Sequence, residues 1–166
     1  MWPKAWRPSR PGASRTSPEA GRSMPRSYPD RPMVGVGAVV FRDNDVLLIR
    51  RGKAPRKGDW SIPGGMQELG ETVFAAAARE VLEETAIVIQ NIGLIDVIDA
   101  ITPDDAGRVK FHYTLVDVVA EWHSGDPIGG DDAMHAEFIP LHLLKNLGLW
   151  KETLRIINVA REMREI

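Results

Sequence analysis

Glu80, Glu83 and Glu84 lie within five residues of one another in the segment "GGMQELGETVFAAAAREVLEETAIVI", residues 64–89. At the angular step of an α-helix they share an arc of about 100°, so their carboxylates stand side by side at i, i+3 and i+4. Like charges at that spacing oppose one another by a few tenths of a kcal/mol per pair on an exposed helix. Either the face is an ordinary solvated acidic one, or a divalent cation cancels the repulsion. Hard cations such as Mg²⁺ take oxygen ligands, and carboxylates spaced in this way reach one or two ions beside a helix without bending it. Ala76, one turn earlier on the same side, is too small to cover them.

The elements that must position these groups can be read on either side of them. On the same helix Phe74, Ala78, Val81 and Thr85 form a narrow stripe flanked by Ala77 and Leu82, and that stripe is expected to face the core. Upstream, "VGVGAVVF" (34–41) and "VLLIR" (46–50) are β-branched runs joined by "RDND", a hairpin turn. The segment "RGKAPRKGDWSIPGG" reads as a loop. Downstream come "IVI" and "IGLIDVIDAI" as strands, the turn "TPDDAG", the long strand "VKFHYTLVDVVAEW", the loop "HSGDPIGGDDAMHAE" and the short strand "FIPL". A final amphipathic helix runs from about Leu149 to Met163, with Trp150, Leu154 and Ile157 as its core stripe. Strands and helices interleave without an internal repeat, which predicts an α/β fold with a mixed sheet covered by helices on both faces.

Seven of the twelve prolines fall in residues 1–32, among arginines and with hardly an acid, so this stretch reads as a disordered N-terminal extension and residues 33–166 as one domain. Its proline density argues against the amphipathic helix of a transit peptide while leaving organelle targeting open, and Met24 and Met33 are candidate alternative starts. A net charge of −2 exerts no global pull on nucleic acid or membrane, and the absence of cysteine excludes a disulfide framework and Cys-ligated zinc. The expectation is a cytoplasmic domain without a membrane span.

Gly65, Glu71, Arg79, Glu80, Val81, Glu83, Glu84 and Ile87 reproduce the pattern G-x5-E-x7-R-E-U-x-E-E-x-G-U at every spacing, with U a bulky aliphatic residue and Ala86 in place of the last glycine. The segment resembles the signature box of the Nudix hydrolases, and the flanking "WSIPGG" and preceding strands extend the resemblance over about residues 33–163. The resemblance implies an α/β/α sandwich around a mixed sheet and Mg²⁺- or Mn²⁺-dependent hydrolysis of a nucleoside diphosphate linked to another moiety. It places metal ligands on Glu80, Glu83 and Glu84, with the backbone carbonyl near Gly64 or Gly65 as a further ligand, and makes Glu71 and Arg79 the pair that ties the loop to the helix. The general base is then a box glutamate or an acid on a later loop, where Asp131 and Asp132 are the candidates with Glu137 behind them. "GGDD" also reads as a simple turn.

Arg50, Arg51, Lys53, Arg56 and Lys57 place five cations just before "WSIPGG", either to grip substrate phosphates or as a solvated loop. Trp60 reads as core packing in preference to a base-stacking platform, and the four histidines show no metal-ligand spacing. Pro103 stands sixteen residues after Ile87, a position that in this family accompanies ADP-ribose pyrophosphatases, although proline also suits the turn for its own reasons. The favoured substrate is therefore ADP-ribose or a related sugar nucleotide. Oxidised nucleoside triphosphates such as 8-oxo-dGTP, and a non-catalytic nucleotide- or RNA-binding module, are the alternatives. Without an extended basic stripe or aromatic platform, polymeric nucleic acid is not an expected partner. A homodimer is compatible with the sequence.

Overall fold

The computed structural model describes residues 25–53, 56–130 and 132–165. Seven strands form one mixed sheet: β1 (Met33–Arg42), β2 (Asp45–Arg51), β3 (Trp60–Ser61), β4 (Gly64–Met66), β5 (Val88–Pro103), β6 (Val109–Ser124) and β7 (Ala133–Pro140). Helix α1 (Val73–Thr85) packs on one face and helix α2 (Lys151–Arg164) on the other, giving the expected α/β/α sandwich.

β1 is the central strand, and its near-continuous apolar run follows from burial on both faces. Val36, Ala38 and Val40 meet α1, whereas Val39 and Phe41 meet α2. It runs parallel to β6 from Met33 opposite Tyr113 to Phe41 opposite Glu121, and antiparallel to β2 through the predicted hairpin turn, where Asp43 takes a positive φ of 53°. β2 leaves β1 after this hairpin to pair with β3 and β7, and β4 takes the vacated edge of β1 through Gly35–Met66, Val36–Gly65 and Gly37–Gly64. The box glycines are thus strand residues.

Several expectations need correction. "WSIPGG" is not loop throughout, because β3 and β4 lie within it. The two runs "IVI" and "IGLIDVIDAI" form one bulged strand, β5, paired to β6 along its whole length. The "FIPL" strand begins earlier, at Ala133, and is followed by a 3-10 helix, Leu141–Asn146, that no periodicity marked. Helix α1 is rotated by roughly 80° from its predicted setting. Its buried residues are Ala76, Ala77, Val81, Glu84 and Thr85, while Phe74 and Leu82 are 41% and 50% exposed. Small alanines let the helix sit close to the sheet, and that contact outweighs burial of the two larger side chains. Trp150 is likewise outside the core: it precedes α2, whose buried residues are Thr153, Ile156, Ile157 and Ala160.

The expectations for residues 1–24 fall outside the described residues. Residues 25–32 carry no strand or helix, and Tyr28 ties them to the β5–β6 hairpin, donating its N–H to the Lys110 carbonyl (2.8 Å) and its hydroxyl to Asp104 (3.1 Å).

Candidate active site

The site forms where α1 crosses β4. Thr72 caps the helix by accepting from the Ala75 N–H, and the helix ends at Ala86, which adopts the left-handed conformation (φ 59°, ψ 15°) and donates to the Leu82 carbonyl. Between these ends the three glutamates have different surroundings. Glu84 points under the helix, leaving only 6% of the residue exposed, and accepts one hydrogen bond from the Gly64 N–H at 2.9 Å. The expectation of an exposed face therefore fails for this residue. Glu80 is also largely covered, and its carboxylate lies against the α-carbon of Gly65, so a Cβ there would overlap it. Glu83 is the open member, with 44% of its side chain exposed.

Arg79 organises the cluster. Its guanidinium holds Glu71 through two bonds (Nε–Oε1 2.6 Å, Nη2–Oε2 3.0 Å), reaches Glu80 at 2.8 Å and Glu83 at 3.2 Å, and donates to the Met66 carbonyl at 3.0 Å. These bonds join the Glu71 loop to the helix, and the planar fork of arginine makes the paired hydrogen bonds to Glu71 possible. Glu71 also accepts from the Glu68 N–H. Arg79 and then this N–H hold its carboxyl down to about 2. Burial pushes Glu84 up to about 7, opposed by the Gly64 N–H and reinforced by the charges of Glu80 and Asp132, with Arg51 acting in the opposite sense. Burial also raises Glu80, against the pull of Arg79.

The loop after β6 closes the other end of the site. Ile128 N–H and Gly130 N–H donate to the Thr85 and Glu84 carbonyls at 2.9 and 3.0 Å, satisfying the last turn of α1. Gly130 is required to be small, because a Cβ would stand 2.7 Å from the Glu83 carbonyl oxygen. Gly52 N–H donates to the Asp132 carbonyl at 2.6 Å, and Lys53 pairs with the Asp132 side chain. Asp132 is thus brought to the glutamates, whereas Asp131 lies outside the described residues. Glu137 faces away onto His135 at 3.1 Å.

The basic run divides. Arg51 and Lys53 face the glutamates and Asp132. Arg50 bonds the Gly58 carbonyl and covers the Trp60 ring, Arg56 pairs with Asp59, and Lys57 is exposed. Trp60 packs against the α2-side core, in line with its reading as a packing residue. Pro103 ends β5 opposite Val109.

As their side chains stand, the described residues gather no trio of acidic or imidazole groups around one point. The donor chemistry nevertheless suits a hard divalent cation: Glu84 keeps lone pairs beyond its one backbone donor, Glu80 lies in a recess only glycine leaves open, and every candidate ligand is oxygen. One buried acid escaped the sequence reading: Asp117, on the α2 face of β6, is 5% exposed. Its signal was an acid at an inward position of the apolar run "LVDVVA".

Comparison with known proteins agrees with this architecture. An ADP-ribose pyrophosphatase from Methanocaldococcus jannaschii is 38% identical over 116 residues, covering 70% of this chain and 66% of the relative, so the chain spans just under two thirds of that protein. A MutT Nudix hydrolase from Burkholderia pseudomallei superposes with a TM-score of 0.67 at 30% identity, over 78% of this chain and 98% of that one. A bifunctional NMN adenylyltransferase/ADP-ribose pyrophosphatase from Francisella tularensis, solved with AMP and a Mn ion, superposes with a TM-score of 0.60 at 27% identity, over 80% of this chain and 42% of that one. The NUDIX domain family model matches residues 31–158, from the start of the sheet into α2 and across the whole glutamate cluster, and the chain belongs to the Nudix family.

Proposed function

We propose that this chain is a metal-dependent pyrophosphohydrolase of small nucleoside diphosphate derivatives, with ADP-ribose or a related sugar nucleotide as substrate and Mg²⁺ or Mn²⁺ as cofactor. The observation that carries the reading is the seating of Glu84 and Glu80 on Gly64 and Gly65, which aims two carboxylates at one strand edge. The name of the archaeal relative and the position of Pro103 support the substrate.

Glu80, Glu83 and Glu84 would hold the cation, with a backbone carbonyl at Gly64 or Gly65 beside them. When bound, it neutralises phosphate charge and lowers the pKa of water. Arg79 keeps Glu80 and Glu83 from splaying, and its two hydrogen bonds to Glu71 fix the loop that leads into α1. Arg51 and Lys53, at the rim, supply positive charge toward the substrate phosphates. Glu83 and Asp132, the most exposed acids at the site, are the groups placed to take the proton of the attacking water. Burial of Glu84 excludes water from the inner side of the cluster, where electrostatic interactions are correspondingly stronger. The cytoplasm is the compartment proposed for this reaction, and among the described residues no helix is long and apolar enough to cross a membrane.

The test is a panel of nucleoside diphosphate derivatives and 8-oxo-dGTP, each incubated with protein and Mg²⁺ and resolved by anion exchange. ADP-ribose should give AMP and ribose 5-phosphate with the highest kcat/KM. A higher value for 8-oxo-dGTP would overturn the substrate, and binding without cleavage across the panel would overturn the activity.

A further inference from the structure

Asp117 sits in the middle of β6 with 5% of its surface exposed, and no hydrogen bond from a described residue reaches its carboxylate. A buried carboxylate without a donor is costly, and proteins retain such groups chiefly where function requires them. The charged groups that act on it are Asp96 from β5, a like charge, and Arg155 from α2. Arg155 is already engaged, at 2.7 Å from Asp96 and 2.7 Å from Glu152.

The backbone around Asp117 is shaped to admit it. Gly37, its cross-strand partner on β1, has no Cβ, and one built there would overlap Asp117 Oδ1 and stand 2.8 Å from Ile62 Cδ1. Two positions earlier, a Cβ at Gly35 would stand 2.9 Å from Leu115 Cδ2. The carboxylate and the Leu115 side chain therefore lie flat on the strand. Ile62 lies beside the carboxylate over Gly37, and the half-buried stretch 111–116 of β6 continues the strand from there.

Register connects Asp117 to the glutamates. Asp117 pairs with Gly37, Gly37 pairs with Gly64, and the Gly64 N–H holds Glu84. Two strand spacings place Asp117 about 10 Å from Gly64, a separation that a nucleotide spans between its base and its phosphates. β4 is short and ends the sheet at this point, so a ligand at its edge reaches both faces.

We propose that Asp117 is the acceptor of a nucleobase subsite, receiving a hydrogen bond from the 6-amino group of an adenine whose diphosphate lies at the Gly64–Glu84 edge. The subsite rests on the nucleotide reading of the adjoining carboxylate cluster. The Leu115 and Ile62 side chains beside the carboxylate offer a planar ring apolar contact, and one buried acceptor gives the ring its orientation. Rejection of a base lacking the amine follows, because Asp117 would then stay buried and unpaired. Asp117 is a specificity residue and stands apart from the reacting atoms.

Equilibrium binding of AMP is compared with that of purine riboside 5′-monophosphate, which lacks only the 6-amino group, for wild type, Asp117→Val and Asp117→Asn. Wild type should prefer AMP by at least about tenfold. Asp117→Val should bring that ratio close to one, and Asp117→Asn, which keeps an acceptor oxygen, should restore most of it. With ADP-ribose, Asp117→Val should raise KM while leaving kcat within about threefold. The proposal is overturned if wild type shows no preference, if it binds neither monophosphate, or if folded Asp117→Val retains the wild-type ratio. The monophosphate ratio requires no turnover, so it reads the subsite even if ADP-ribose is not cleaved. Should Asp117→Val fail to fold, the wild-type ratio and Asp117→Asn still decide.

Discussion

Glu84 and Asp117 are two acids buried to almost the same degree on opposite faces of one sheet, 6% and 5% exposed. Burial raises both, to about 7 and about 6. Glu84 is set among charges and held by a backbone donor. Asp117 lies beside Leu115 and Ile62, feels a like charge at Asp96 and a weaker opposing pull from Arg155, and has no donor among the described residues. The first is equipped to work with a further positive charge, the second to wait for a neutral donor. On the proposals made above, two carboxylates of equal burial take different tasks, chemistry on the α1 face and selection on the α2 face.

The largest separation between the two should come from Glu84→Gln. It preserves shape but removes a charged oxygen from the cluster, so kcat for ADP-ribose should fall at least about a hundredfold at saturating Mg²⁺ with the circular dichroism spectrum unchanged. Near-wild-type kcat would dissolve the contrast between the faces. A smaller loss, roughly tenfold in kcat, is expected for Arg79→Lys, which keeps the charge but cannot bond Glu71 doubly while reaching Glu80 and Glu83.

Asp117→Asn sharpens the comparison through stability. The folded-state pKa of Asp117 is raised from 3.8 to about 6, so the folded protein binds the proton more tightly than the unfolded chain. That contribution is fully present below about pH 4 and is lost as pH rises through about 6. Replacement by asparagine removes this dependence. Variant minus wild-type stability should therefore increase by about 2–3 kcal/mol between pH 4 and pH 8, measured by urea unfolding. A flat difference would mean that Asp117 has a partner in solution. The smallest effect is Ala86→Gly. Alanine at φ 59° is strained where glycine is not, so the variant should gain about 1 kcal/mol and keep its kcat.

The same pair of acids shows what could be read from residue order. Glu80, Glu83, Glu84, Arg79 and Glu71 are close in sequence, and helical geometry alone places three of them together, so the cluster was visible before the fold. The burial of Glu84 was not, because the rotation of α1 is chosen by contact of its alanines with the sheet, and Phe74 and Leu82 misdirect a reading based on apolar stripes. The Lys53–Asp132 pair joins residues 79 positions apart through the β2–β7 pairing, a long-range register that local patterns do not encode. Asp117 left a trace in "LVDVVA", yet its environment is assembled from β1, β5, the Ile62 segment and α2. The α/β/α layering was legible from alternating elements, whereas β3, β4 and the 3-10 helix were too short to announce themselves.

The most direct test of the central claim is the metal dependence of ADP-ribose hydrolysis by the wild-type chain. Protein freed of metal with EDTA should leave ADP-ribose intact, and added Mg²⁺ should restore cleavage to AMP and ribose 5-phosphate in equal amounts. Turnover that persists undiminished in EDTA, or ADP-ribose that binds and is never cleaved at any Mg²⁺ concentration, would contradict it.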